Sequence, residues 1–271
     1  MKTFLVPVDF STPSVNAAKY AVALTSNIDG VNIILYHVYS RISIEALTEK
    51  GELTRKLIYD AELNVVKDML TPSPGQKITI ESEEGSFLES IEKYILSNHI
   101  DMVIMGITGS SRLKQIFMGT NTLNVIRHVS CPVMIVPPDA EFKGIKNAVF
   151  TSDFKDVART TPFPLLKSVI DLLKAQLYIL NVDSEHYIEL TDEFKKEKEA
   201  MEDKLGVYNP EFSFVRSYDF VDGINTFVES RDIDTIITLP RKHSFLTQLF
   251  KVTHTKKLAY HSRIPTIAIP A

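Results

Sequence analysis

The chain has 271 residues, of which 44% are hydrophobic, and a formal net charge of −4. At roughly 100–200 residues per domain, that length and composition predict two globular domains. The negative balance argues against a nucleic-acid partner gripped by a broad basic surface. The single cysteine, Cys131, excludes a disulfide framework and a thiolate-rich zinc site. The first ten residues, MKTFLVPVDF, are broken by Pro7 and Asp9 and lack the apolar core and cleavage site of a signal peptide. No stretch approaches the ~18 apolar residues of a membrane span. The expectation is a protein of the reducing cytoplasm with no membrane partner.

Five β-rich runs occupy the first half: Phe4–Val8, Asn32–Val38, Lys77–Glu81, Asp101–Gly106 and Val133–Val136. Several are almost continuously apolar, as strands covered on both faces are. Helical patterns lie between them. Thr12–Asn27 opens with Thr12-Pro13, a capping residue followed by proline in the first turn. Ile44–Leu70 is long and amphipathic. Ser86–His99 starts with Ser86 and Glu89 at capping-box spacing, and Thr120–Ser130 follows Gly119. Strict β-α alternation predicts a largely parallel sheet with helices on both faces.

The second half repeats the first. Leu5–Phe10 matches Val149–Phe154, placing Asp9 opposite Asp153, and Ile33–Val38 matches Leu177–Val182, placing His37 opposite Asn181. Later, Ile100–Met105 matches Ile233–Thr238 and Cys131–Pro137 matches Ile264–Pro270, at a shorter offset, so the second copy has lost residues from its middle. Its long helix corresponds to the charged segment Glu189–Leu205. With the boundary in Pro138–Lys146, the fold class is α/β: two tandem, doubly wound, parallel five-stranded sheets of Rossmann-like type, over residues 1–138 and 145–271.

Ligands of such sheets bind at the carboxyl ends of the strands. Three strands of the first copy end there in Pro7-Val8-Asp9, His37-Val38 and Met105-Gly106. The last runs into a loop with glycines at Gly106, Gly109 and Gly119 in the pattern G-x2-G-x9-G-T, and a helix opens after Thr120. Glycines let backbone N–H groups approach an anion. The helix start offers free N–H groups and positive partial charge. Thr120 and Thr122 add hydroxyls, and Arg112 and Lys114 could add countercharge.

This loop, with the Val-Pro-Val-Asp-Phe-Ser start and the Pro-Val-x-Ile-Val-Pro end of the first domain, resembles the nucleotide-binding signature of the universal stress protein family. The resemblance implies an adenine nucleotide alpha hydrolase-like fold. It also implies ATP (or AMP or ADP) as ligand, often with Mg²⁺. By position, Asp9, with Pro7 and Val8 on the same strand end, and the backbone of Val38 would contact the adenosine part. Met105 and Gly106 would line the cleft, and Gly109, Gly119, Thr120, Asn121 and Thr122 would hold phosphates. It further implies that Val133–Val136 and Thr266–Ile269 join the halves as a pseudo-dimer, and that the chain forms a homodimer.

The second copy departs from the pattern. Leu239, Lys242 and Val252 stand where the first has Gly106, Gly109 and Gly119, although Asp153 and Thr253 remain. Poor nucleotide binding is expected there. His254 and His261 lie two turns apart on a predicted helix, too far to share a metal, and His37 reads as a packed or hydrogen-bonded strand-end residue rather than a catalytic one. Cys131 reads as buried and inert. No residue is placed to position water in line with a γ-phosphate. The reading is therefore a nucleotide-binding stress or regulatory protein with slow or absent turnover and protein partners of unknown identity. A weak ATPase and a scaffold or carrier of a non-nucleotide ligand, such as a lipid, are the alternatives.

Overall fold

The computed structural model describes residues 1–40, 49–107, 109–110, 115–116, 120–183, 191–240 and 264–270, with backbone alone at 49–54, 109–110, 115–116 and 183. These residues form two compact units, the first of Met1–Gly109 and Met118–Phe142, the second of Ser110–Phe117 and Lys143–Ala271.

In the first unit the order is β1 (Lys2–Pro7), α1 (Thr12–Leu24), β2 (Val31–Tyr39), α2 (Glu49–Asp68), β3 (Gln76–Glu84), α3 (Phe87–Asn98) and β4 (Met102–Gly106). α4 (Thr120–His128) and β7 (Val133–Val136) complete it; between β4 and α4 in the chain, two short strands, β5 (Gly109–Ser110) and β6 (Gln115–Ile116), pair with each other, and residues 110–117 cluster with the second unit. The strands lie in the order β7-β4-β1-β2-β3, and every ladder between them is parallel. β1, β4 and β7 are buried almost throughout, with Phe4, Leu5, Ile104, Met134 and Ile135 fully inaccessible. That burial explains their unbroken apolar sequence.

Element starts differ in detail from the sequence pattern. The cap of α1 is Ser11, whose hydroxyl accepts from Ser14 N at 3.4 Å; Thr12 is the first helical residue and Pro13 the second. Ser86 does cap α3, but its side chain makes no capping bond, so the expected box with Glu89 is not closed. β3 runs on to Glu84, past the expected Glu81, because it pairs with β2 residue for residue from Val31–Gln76 to Tyr39–Glu84. The acidic run Glu81–Glu84 concealed this extension, since an edge strand tolerates charge on its open side. Residues 44–48 of the expected second helix lie outside the described residues.

The second unit contains β8 (Asn147–Thr151), α5 (Val157–Thr160), α6 (Phe163–Leu173), β9 (Gln176–Asp183), α7 (Asp192–Leu205), β10 (Glu211–Arg216), α8 (Phe220–Ser230), β11 (Thr235–Thr238) and β12 (Thr266–Ala268). Its strand order, β10-β9-β8-β11-β12, repeats that of the first unit, again with parallel ladders. α7 is the expected charged helix, capped by Thr191 accepting from Phe194 N at 3.2 Å. Phe194, Met201 and Leu205 give it a buried stripe, while Asp192, Glu193 and Lys204 suit its dipole.

The duplication extends to backbone geometry. Left-handed residues recur at corresponding positions: Phe10 (φ 64°) and Phe154 (φ 50°), Gly30 (φ 68°) and Lys174 (φ 51°), His99 (φ 47°) and Asp232 (φ 47°). A non-glycine residue in this region costs on the order of 1 kcal/mol, so its recurrence records a shared chain path. A side-chain tie recurs as well. Asp101 Oδ2 accepts from Thr3 N at 2.7 Å, and Asp234 Oδ2 accepts from Asn147 N at 3.0 Å.

Candidate functional site

The first unit changes winding direction between β1 and β4. The chain moves from β1 through β2 to β3 on one side and from β4 to β7 on the other, which leaves a crevice over the strand ends. A cavity of about 540 Å³ occupies it. Its lining includes Pro7, Val8, Asp9, Val38, Met105, Gly106, Thr120, Asn121 and Thr122. These come from the ends of three strands and the start of α4. Gly109 lies in β5, described by its backbone only, and Gly119, Arg112 and Lys114 lie outside the described residues.

At the end of β1 the backbone turns sharply. Phe10 is left-handed, and Asp9 Oδ1 accepts from Ser11 N at 3.1 Å and Ser11 Oγ at 2.5 Å. Asp9 N donates to Ser14 Oγ at 3.3 Å, and Ser14 Oγ donates to Ser11 O at 3.0 Å. The exposed carboxylate is thereby fixed at the rim of the crevice. Burial alone would raise its pKa, but the Ser11 and Ser14 hydroxyls and the Ser11 amide outweigh burial and hold it below the ordinary carboxylate value.

β1 and β2 are tied together at the same level. Val8 N donates to Tyr36 O at 2.8 Å, and His37 Nδ1 lies 2.7 Å from Val8 O, which makes it the donor. The His37 ring packs against Phe10 and Tyr59, each at a centroid distance of 4.6 Å. This agrees with reading His37 as hydrogen-bonded and packed, yet it also lines the cavity.

Gly106 has a reason beyond anion approach. It sits at the end of β4 without a left-handed φ. A Cβ there would meet the backbone of α1, 2.5 Å from Pro13 C and 3.0 Å from Ser14 N. Glycine thus lets the first turn of α1 lie directly on β4. On the far side of the crevice, α4 presents Thr120 and Asn121 exposed and Thr122 4% exposed. The first turn of the helix, whose N–H groups lack intrahelical partners, thus lines the cavity.

Five lining residues escaped the sequence reading as site members: Ser11, Ser14, His37, Ser40 and Phe87. Ser11 and Ser14 flank the expected Thr12-Pro13 helix start, and Phe87 opens the apolar series Phe87, Ile91, Ile95 on α3, but neither pattern marks a site.

The second unit is built differently at this level. Asn181 Nδ2 donates to Ser152 O at 2.9 Å, repeating the His37–Val8 tie. Leu239, at the Gly106 position, is 8% exposed. The first helix is split: α5 ends at Thr160, and α6 starts after Pro162. The Glu197 carboxylate accepts from Val157 N at 2.7 Å. A leucine side chain would not fit where a Gly106 Cβ already meets the start of α1. Lys242, Val252, Thr253, His254 and His261 lie outside the described residues.

Comparisons with known proteins agree with this fold. The model of the universal stress protein family matches residues 1–137. A universal stress protein of Methanocaldococcus jannaschii is 28% identical over 139 residues, covering 50% of this chain and 81% of that protein. Another from the same organism is 29% identical over 157 residues, covering 50% of this chain and 94% of the relative. The crystal structure of a universal stress protein from Archaeoglobus fulgidus is similar in fold over 99% of this chain and 98% of its own, with a TM-score of 0.68 at 17% identity. The chain belongs to the universal stress protein family.

Proposed function

We propose that the first unit binds an adenine nucleotide and that occupancy regulates the protein's conformation or its protein partners. The observation that carries this reading is the cavity of about 540 Å³ that gathers an acidic strand end, an apolar wall and a helix N-terminus. Phosphates suit the α4 end, where Thr120, Asn121 and Thr122 meet free backbone N–H groups. Asp9, across the crevice, suits a ribose hydroxyl as donor. Val8, Val38 and Met105 offer apolar surface and backbone edges for a base.

ATP is the favoured ligand, with AMP and ADP as outcomes of the test. Among the described residues no group of three or more His, Cys, Asp or Glu could hold a metal. Mg²⁺ in this reading rests on the phosphates. The reading puts Asp9 at the adenosine end, so it predicts binding without efficient hydrolysis. It also places the protein in the cytoplasm as a homodimer. No described helix is long and apolar enough to cross a membrane.

Thermal unfolding with ATP, ADP, AMP and inorganic tripolyphosphate tests the proposal. Ligand at 100 times its Kd adds about 2.7 kcal/mol of stability, which raises the transition by several degrees. The shift should vanish in Gly119→Val. No shift with millimolar adenine nucleotide contradicts the reading.

A further inference from the structure

We infer that Phe87 is the base-stacking residue of the cavity. This rests on the nucleotide reading above and goes beyond it by naming the residue that recognises the base. The sheet order gives the direction. α4 follows β4 on one side of β1, whereas Phe87 follows β3 on the other, beyond β2. A nucleotide with phosphates at α4 and ribose at Asp9, on the end of β1, extends its base toward the ends of β2 and β3. The lining there is Val38, Ser40 and Phe87.

The ring is held in place by the chain around it. Gly85 N donates to Tyr39 O at 3.0 Å, so the β2–β3 ladder continues into the turn before α3. A Cβ on Gly85 would stand 2.5 Å from Ser90 Oγ, so this turn is tucked tightly against the helix it precedes. Phe87, Ile91 and Ile95 share one face of α3 at four-residue spacing. Ile91 is 0% and Ile95 4% exposed, while Phe87 is only half-buried. The apolar ridge of α3 thus runs out of the core and ends in the cavity. Phe10, His37, Tyr39 and Tyr59 pack on one another nearby, but among the described residues Phe87 takes part in no ring pair. An aromatic face that is anchored, half-buried and open to a cavity suits a planar base.

The test uses the whole chain, which has no tryptophan. Phe87→Trp therefore introduces a single indole reporter. A base stacked on it quenches its fluorescence, whereas tripolyphosphate does not. In Phe87→Ala, ATP affinity falls roughly 5- to 100-fold, the scale of one base–aromatic stack, while tripolyphosphate affinity stays within twofold of wild type. Equal ATP affinity in wild type and Phe87→Ala overturns the inference and leaves the nucleotide reading intact. An equal loss for ATP and tripolyphosphate assigns Phe87 to scaffold packing and also overturns it. A wild-type chain that binds no adenine nucleotide defeats the underlying reading instead.

Discussion

Gly106 lies against the backbone of Pro13, with a Cβ at Gly106 falling 2.5 Å from the Pro13 carbonyl carbon. No rotamer change relieves such a contact, because the Cβ position is fixed by its own backbone and its partner is main chain. Gly106→Ala is expected to push the first turn of α1 away from β4 and to destabilise the first unit by about 1–3 kcal/mol, the usual cost of overpacking. Urea unfolding measures this. Since Asp9, Ser11 and Ser14 move with that turn, nucleotide affinity should fall in the same variant.

The bond between His37 Nδ1 and Val8 O ties two strand ends beneath the cavity, and Asn181 makes the same tie in the second unit. His37→Phe keeps an aromatic ring against Phe10 and Tyr59 and removes only the hydrogen bond. The expected loss is about 0.5–1.5 kcal/mol, the net worth of one such bond, read by the same unfolding experiment.

Asp9 should titrate below 3.8, because the Ser11 and Ser14 bonds favour its charged form over the opposing effect of burial. A depressed pKa in the folded state means stability that is present above the unfolded value and lost as pH falls through the folded one. The acid limb below 3.8 should therefore flatten in Asp9→Asn. Carboxyl NMR titration gives the midpoint directly, and a midpoint above 3.8 contradicts the arrangement.

Cys131 is 5% exposed, and burial pushes its thiol up to about 12. At pH 8 it is protonated and shielded. A disulfide-exchange reagent should find no rapidly reacting thiol in the native chain and one per chain in denaturant. A fast native reaction contradicts the packing of the β7 start.

The fold was legible because its signals are local and repeated. Apolar runs such as Met102–Gly106 and Val133–Val136 bury both faces and need no context to be read. The repeat, with Asp9 opposite Asp153 and His37 opposite Asn181, carried the topology of the second unit. The extension of β3 to Glu84 was not legible, since pairing with β2 overrides a run of three glutamates and a serine. The strand-end residues that line the cavity, Asp9, Val38 and Met105 among them, were legible as the carboxyl ends of apolar runs. Phe87 was not, because its role depends on a long-range fact: the order of strands puts the start of α3 on the crevice opposite α4. The packing reason for Gly106 was hidden likewise, as Pro13 is distant in sequence.

In the proposed function the first unit alone binds nucleotide, because Gly106 lets α1 start against β4 whereas the second unit has Leu239 and a split first helix. Native mass spectrometry of the whole chain, titrated with ATP, counts ligands directly. One nucleotide per chain, abolished by Gly119→Val, is the predicted result; two per chain, or one that survives Gly119→Val, contradicts it.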